Sequence, residues 1–279
     1  MEIRKADYHI HSSISPDAKV SMEEMCEGAY HRECDEIVFT DHYEFYSQNY
    51  KSLYFYEEYI QHYFKKLAEC REKFFGKLCI KSGMEFGQPH LEAEKALKLV
   101  KKYPFDYLIG SVHKLDNVDL EKMEYNQDTV HEIADRYYQE LLKLSRWGEF
   151  DCMGHLDFFK RHSKRQGFSD EYEQHEGIIR KILTNVIDRG KGIELNTSGI
   201  RQEAGEAMPS LTILKIYREL GGTIITVGSD AHKPQDIRAD FDQAYELLNL
   251  AGFGEISLFE QRRVVGSIKG VTGKIRINY

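Results

Sequence analysis

Asp7-Tyr8-His9-Ile10-His11 near the head of the chain and Gly228-Ser229-Asp230-Ala231-His232 near its far end share one device. In each, a short apolar run ends in two ligand-type side chains one residue apart. Alternate residues of an extended chain point to the same side, so His9 and His11 face one way, and Asp230 and His232 repeat the spacing. Between them the pattern recurs. Glu36 to Thr40 leads into Asp41-His42, and Leu78 to Met84 into Glu85. Tyr107 to Val112 leads into His113, and Phe150 to Gly154 into His155. Gly192 to Asn196 and Thr223 to Val227 complete seven expected strands, with Tyr8 to Ile10 as the first.

Amphipathic stretches separate these runs. Ser21-Met22-Glu23-Glu24 is a capping-box signature that opens a helix toward Tyr30. Further helices are expected over Tyr54–Phe75, Leu91–Lys102, Thr129–Trp147, Glu171–Arg189, Ser210–Leu220 and Asp236–Leu248. Strands alternating with helices predict a parallel sheet covered by helices. An open doubly wound sheet would give the same alternation. The position of the ligand-type residues decides against it: His9, His42, Glu85, His113, His155, Asn196 and Asp230 each stand at or just past the C-terminal end of a different strand. In an open sheet the outer ends lie too far apart to share a site, whereas a closed barrel gathers them around one axis. The expected fold is therefore α/β, a distorted seven-stranded TIM-like barrel with a metal site at the C-terminal strand ends. It is read as one domain over 1–279, with 253–279 a less regular tail. There Val264-Val265 and Ile275-Arg276-Ile277 would form edge strands or an extended end.

Imidazoles and carboxylates without thiolate suit zinc, manganese or iron. Unpaired buried imidazoles and carboxylates are costly, so this many at one barrel mouth need a common cationic partner. A carboxylate can bridge two ions where an imidazole binds one, which makes Glu85, beside Gly83 and Gly87, the expected bridge. The remaining histidines (His31, His62, His90, His131, His162 and His175) fall in helical or loop stretches and are read as structural. With 41% hydrophobic and 30% charged residues, the composition is that of a soluble globular chain. A net charge of −8 argues against bulk nucleic-acid binding and is compatible with a cationic substrate. Five cysteines at scattered spacings make no disulfide framework and fit a reducing cytoplasm. The first ten residues lack the apolar segment of a signal peptide, and no apolar run is long enough for a membrane span. Phosphate-binding GxxxxGK[ST], dinucleotide GxGxxG and zinc-protease HExxH motifs are absent from the sequence.

At these residues the chain resembles the polymerase and histidinol phosphatase (PHP) family, over Asp7 to about Arg238. The resemblance rests on His9/His11, the Thr40-Asp41-His42 segment, glycine-flanked Glu85, His113, His155 and Asp230-Ala231-His232, taken as an ordered set. The stand-alone histidinol-phosphatase branch is suggested by Gly110-Ser111-Val112-His113, by Gly154-His155-Leu156-Asp157 with Arg161 behind it, and by Glu194 to Arg201. The resemblance implies two to three divalent ions. His9, His11, Glu85 and Asp230 would hold the first; Glu85, His113 and His155 the second; Asp17, His42 and His232 the third. Many relatives carry histidine where Asp17 stands; a carboxylate would still bind a divalent ion. The implied activity is hydrolysis of L-histidinol phosphate, a small phosphomonoester, in histidine biosynthesis. Rival readings are a phosphoesterase acting on a nucleotide or an oligonucleotide end, and a non-catalytic metal-binding regulator, which a broken ligand set would have favoured. Glu85 and Asp230 are the expected catalytic carboxylates. Arg161 and Arg201 are the expected phosphate clamps, because the planar guanidinium fork matches phosphate. Asp157 is an expected proton donor to the leaving group. Tyr43, Glu44 and Phe45 would face the histidinol moiety.

Overall fold

The computed structural model describes residues 5–45, 57–169 and 172–269. Seven parallel strands form the barrel wall in chain order: β1 (Ala6–Ile10), β2 (Glu36–Phe39), β4 (Cys79–Gly87), β5 (Tyr107–Ser111), β8 (Cys152–Met153), β9 (Gly192–Asn196) and β10 (Ile225–Gly228). A short strand β3 (His42–Glu44) continues the line of β2 and pairs with the upper half of β4. The chain breaks at Thr40-Asp41 between them. The wall is completed by a parallel bridge between Ile10 and Ala231, and His11 donates its backbone N–H to the Ala231 carbonyl at 2.9 Å. The barrel expected from the strand-end residues is therefore the one observed. Its strands are buried throughout or nearly so, which is why they read as apolar runs and not as alternating ones.

Helices α1 (Met22–His31), α2 (Glu57–Lys73), α3 (Ala93–Lys102), α4 (Val130–Trp147), α6 (Glu176–Asp188), α7 (Leu211–Glu219) and α8 (Phe241–Leu250) cover the wall. The capping box at α1 is present in full, with Ser21 accepting from the Glu24 N–H and Glu24 accepting from the Ser21 N–H. The helix α4 stops at Gly148, whose φ of 65° is the left-handed conformation that suits glycine at a helix end. The last helix begins five residues later than expected. Pro234–Asp236 forms a separate 3₁₀ turn, and Arg238 and Asp240 take positive φ before Phe241. A seven-residue helix, α5 (Phe159–Arg165), follows β8 and had not been expected; it is too short for its periodicity to register. Two small strands, β6 (Lys114–Leu115) and β7 (Val118–Asp119), make a hairpin beyond β5. Residues 54–56 and 171 of the expected helices lie outside the described residues, as do Ile275–Ile277. Among the described residues no helix is long and apolar enough to cross a membrane.

Where a less regular tail with an edge strand at Val264-Val265 was expected, β11 (Glu255–Glu260) and β12 (Arg263–Lys269), the latter holding Val264-Val265, form an antiparallel hairpin. Its inner residues Ile256, Phe259 and Ile268 join the core cluster that fills the barrel and packs α4, α6 and α7. The hairpin closes the barrel end opposite the ligand residues. Phe259 lies against Tyr8 and Tyr107, and its N–H donates to the Tyr8 hydroxyl. At the turn, Arg262 donates to both carboxylate oxygens of buried Asp151 (2.9 and 3.0 Å) and to the Glu149 carbonyl. Removing Arg262 leaves the buried Asp151 charge with only the longer contact to Lys191 at 3.6 Å as its ion pair. Arg262→Ala should cost about 3 kcal/mol in urea unfolding while leaving the far end of the barrel intact. A change under about 0.5 kcal/mol would show that the hairpin is not anchored by this pair.

Candidate metal centre

Glu85, in the upper part of β4, is 1% exposed and sits among five imidazoles. One carboxylate oxygen faces His155 Nε2 at 2.8 Å and His113 Nε2 at 3.1 Å. The other faces His42 Nδ1 at 3.0 Å, His9 Nε2 at 3.2 Å and His11 Nε2 at 3.6 Å. A carboxylate placed in this way can serve two cations, one per oxygen. Asp230 Oδ1 stands 3.3 Å from His11 Nε2 and 3.8 Å from His9 Nε2. At the rim, Asp17 Oδ2 is 3.0 Å from His232 Nε2 and 3.3 Å from His42 Nε2. Ligand-type atoms converge in three overlapping groups: His9, His11 and Asp230; His42, Glu85 and His113; His11, Asp17, His42 and His232. His155 stands outside these groups but touches the same Glu85 oxygen as His113. All nine residues singled out in the sequence thus meet at one end of the barrel. His155 and Asp230, at φ 20° and 55°, turn back from the strand ends with positive φ, the kind of backbone strain that functional sites retain.

A count of protons tests whether these residues suit a cation. The Ser15 hydroxyl donates to Asp41 Oδ1 at 2.9 Å, so its oxygen must accept the proton on His11 Nδ1, 3.0 Å away. His9 Nδ1 donates to Glu194 Oε1 at 2.6 Å. With both Nδ1 atoms protonated, the neutral rings present two bare Nε2 lone pairs to each other at 2.9 Å. That arrangement is repulsive unless a proton or a metal ion sits between the rings and the carboxylates. His42 Nδ1, close to Glu85 yet out of hydrogen-bond alignment, has no hydrogen-bond partner at all. The donor set fits divalent cations.

Without a cation, protons take over part of that role. Burial opposes a charge on His9, but Glu194, Glu85 and Asp230 outweigh it and hold its pKa well above the usual imidazole value. His42 is raised likewise against burial, by Glu85 and Asp17, and His113 is raised to about 9, by Glu44 and Glu85. His11 goes the other way, to about 3, because burial and the neighbouring His232 and His42 charges disfavour a further proton. Burial would raise Glu85, yet His9, His42 and His113 hold it well below the ordinary carboxylate range.

The centre opens into a cavity of about 670 Å³ whose lining includes Glu44, Phe158, Arg161, His162, Arg165 and Glu203. Arg161, on α5, lies over the Phe158 ring at 4.5 Å, donates to Ser198 Oγ at 2.7 Å and reaches to 3.5 Å from Asp230 Oδ2. Its Nε has no partner. Arg201 stands behind, outside the cavity lining, with its guanidinium on the Ser229 carbonyl and near Asp236. Three expectations are corrected here. Asp157 does not line the cavity; its carboxylate accepts from Lys160 (2.8 Å) and from the Ser210 N–H (2.9 Å), which ties it into the wall. Tyr43 and Phe45 are buried in an aromatic cluster with Phe86 and face no substrate. Glu44 does border the cavity, but it accepts from His113 Nδ1 at 2.6 Å and from Gln88 at 3.1 Å, the place of a residue that orients a ligand. Sequence reasoning gave no role to Asp41, Ser15 or Gln88. Ser15 bonds the His11 ring and Gln88 the His113 backbone, while Asp41 acts through Ser15, and spacing reveals none of these bonds.

A family model for the PHP domain matches residues 7–198. A probable histidinol-phosphatase of Clostridium acetobutylicum is 29% identical over 261 residues, which covers 92% of this chain and 97% of that protein. The histidinol-phosphatase of Lactococcus lactis is 25% identical over 272 residues, covering 96% and 99%. The fold is similar to the crystal structure of histidinol phosphate phosphatase from Lactococcus lactis, complexed with zinc, L-histidinol and phosphate. The TM-score is 0.81 at 24% identity, over 95% of this chain and 100% of that one.

Two outcomes test the centre. Imidazoles that carry protons in the metal-free protein must lose them to become ligands. Zinc or manganese binding should therefore release protons, and affinity should tighten as pH rises toward about 9, where His113 would lose its proton unaided. Calorimetry in buffers of different ionisation enthalpy measures this; binding without proton release contradicts the ligand set. Glu85→Gln keeps the shape and removes the shared charge. Elemental analysis should find less metal, and turnover should fall by roughly a thousandfold or more.

Proposed function

The chain belongs to the PHP domain family, and from that premise we propose that it hydrolyses L-histidinol phosphate to L-histidinol and inorganic phosphate. It is a metal-dependent phosphomonoesterase with a small-molecule substrate, and its five free thiols suit the cytoplasm. The observation that carries the reading is the placing of Arg161. A mostly buried guanidinium with an unpartnered Nε stands 3.5 Å from Asp230 and lines the cavity onto which the histidine–carboxylate cluster opens. A phosphoryl group set there would meet the ligand residues on one side and a planar cationic fork on the other.

Two to three divalent ions, of zinc, manganese or iron, fit the donors. His9, His11, Glu85 and Asp230 would hold the first, Glu85, His113 and His155 the second, and Asp17, His42 and His232 the third. When bound, such ions supply Lewis-acid activation of water and neutralise charge on the phosphoryl oxygens. The chain's own residues do the rest. Glu85 and Asp230 balance the cations, and Arg161 clamps the equatorial oxygens as charge builds on them. Ser198 steers that guanidinium, and Arg201 adds positive potential from behind it. The chain's net charge of −8 suits the ammonium of histidinol and disfavours an oligonucleotide.

Phosphate release from histidinol phosphate, a nucleoside monophosphate, a 5′-phosphorylated oligonucleotide and an aryl phosphate tests the substrate. The first should show the highest kcat/KM; a preference for the nucleotide or the oligonucleotide overturns it. Arg161→Ala should lower kcat/KM by roughly ten- to a hundredfold, the value of a charge-assisted contact of about 1.5–3 kcal/mol, and weaken inhibition by phosphate in parallel. Lysine should rescue it only partly, since a point charge cannot reproduce the fork. Arg165→Ala, the loss of an exposed ion pair, should stay within about threefold.

A further inference from the structure

Glu194 is a carboxylate in the middle of β9, fully buried inside the barrel and outside the ligand groups above. Its two oxygens do different things. Oε1 accepts the proton of His9 Nδ1 at 2.6 Å. Oε2 accepts the backbone N–H of His155 at 3.1 Å and the Asn196 side-chain amide at 3.3 Å. The barrel is built around this group. A Cβ on Gly228 would collide with Glu194 Oε1 and with His9 Cβ. Only glycine at 228 leaves room for the carboxylate and the imidazole side by side.

We infer that Glu194 is a positioning residue that sets two ligands at once: it fixes the His9 ring with Nε2 turned to the centre, and it holds the positive-φ turn that presents His155. The first effect follows from proton placement. A carboxylate is an acceptor only, so the ring nitrogen facing it must carry hydrogen and the opposite nitrogen is left bare as the ligand atom. The second follows from the backbone bond, which satisfies a buried N–H at a residue with φ 20°. His9 belongs to one ligand group and His155 touches the far oxygen of Glu85. Glu194 therefore spans the two halves of the centre from beneath.

The inference rests on the metal reading above and deepens it. Its discriminating variant is Glu194→Gln. Glutamine has the same shape but only one acceptor oxygen, and Glu194 faces donors on both sides. If the amide NH₂ turns to His9, the ring must accept at Nδ1 and carry its proton on Nε2, which blocks the ligand atom. If it turns to His155, two donors oppose each other and the turn loses its anchor. Zinc should bind this variant roughly 10- to 100-fold more weakly than wild type, and the visible spectrum of the cobalt(II)-loaded protein should change. Glu36→Gln, a buried carboxylate bonded to Tyr8 at the other end of the barrel, should lower the melting temperature without altering either reading. Wild-type zinc affinity and cobalt spectrum in Glu194→Gln would overturn the inference. Wild-type protein that binds no metal would instead overturn the metal reading beneath it. Should Glu194→Gln not fold, nitrogen-15 spectra of histidine-labelled, zinc-loaded wild type decide the matter. His9 should be protonated at Nδ1 and metal-bound at Nε2, and the opposite tautomer would sink the inference.

Discussion

Closure of β10 against β1 is the constraint on which the centre depends. The two segments lie about 220 residues apart in the chain, and backbone groups join them where the site begins. Asp230 N–H donates to the His9 carbonyl at 2.8 Å, and His11 N–H to the Ala231 carbonyl at 2.9 Å. Asp7 locks the seam from below. Its buried carboxylate accepts the N–H groups of Ser229 and Arg238, at 2.9 and 2.8 Å. Burial raises the Asp7 pKa although those bonds oppose it, so the seam encloses a buried carboxyl whose acceptor atoms only correct closure satisfies. Once the seam is made, the paired ligands of the first strand and of the last stand side by side, and Asp230 reaches both His9 and His11.

The same logic extends outward as layers of hydrogen bonds. Asp41 sits at the break between β2 and β3 and accepts four bonds, from the backbone and hydroxyl of both Ser12 and Ser15. Ser15 passes the constraint to His11. Glu44 holds His113, Glu194 holds His9, and the Asp230 carbonyl holds His232 Nδ1. Each outer partner settles which nitrogen of its imidazole is bare. Leaving such groups buried is costly unless every donor finds an acceptor. The network is nearly complete in that sense, and its open ends include His42 Nδ1, His155 Nδ1 and Arg161 Nε, all three buried beside the centre.

The barrel was legible in the sequence because its strands are short, apolar and each followed by a ligand-type residue, so fold and site are written in the same positions. The nine ligand-type residues were legible for that reason. What failed was whatever depended on direction. Tyr43 and Glu44 follow His42 directly in sequence, but β3 pairs with β4 there, and alternation sends Tyr43 into the Phe86 cluster and Glu44 toward His113. Asp157 follows His155 by two residues, but His155 leaves the strand with positive φ, and the extended-chain rule that put His9 and His11 on one side no longer applies. Of the hairpin at 255–269 only Val264-Val265 was legible, as an edge strand, because the outer face is solvated and the inner face is covered by the barrel floor, a partner far away in sequence.

The carboxylate at position 17 has a physical place in this arrangement. Exchanging an imidazole for a carboxylate changes the charge of a ligand set by one unit. Deep in the barrel, where Glu85 and the His9/His11 pair are shut off from water, such a change would cost several kcal/mol in desolvation. Asp17 lies on the loop past Pro16, with its side chain half exposed, and pairs with His232, itself about a third exposed. Water screens the extra charge there, and His42 and His232 share it, so Asp17 stays ionised despite partial burial. The rim is thus the place where a carboxylate in an imidazole's stead costs least, because Asp17 comes from a loop and, with His232, reaches solvent. The two inner groups are fixed by strand register and by buried partners whose protons are already assigned.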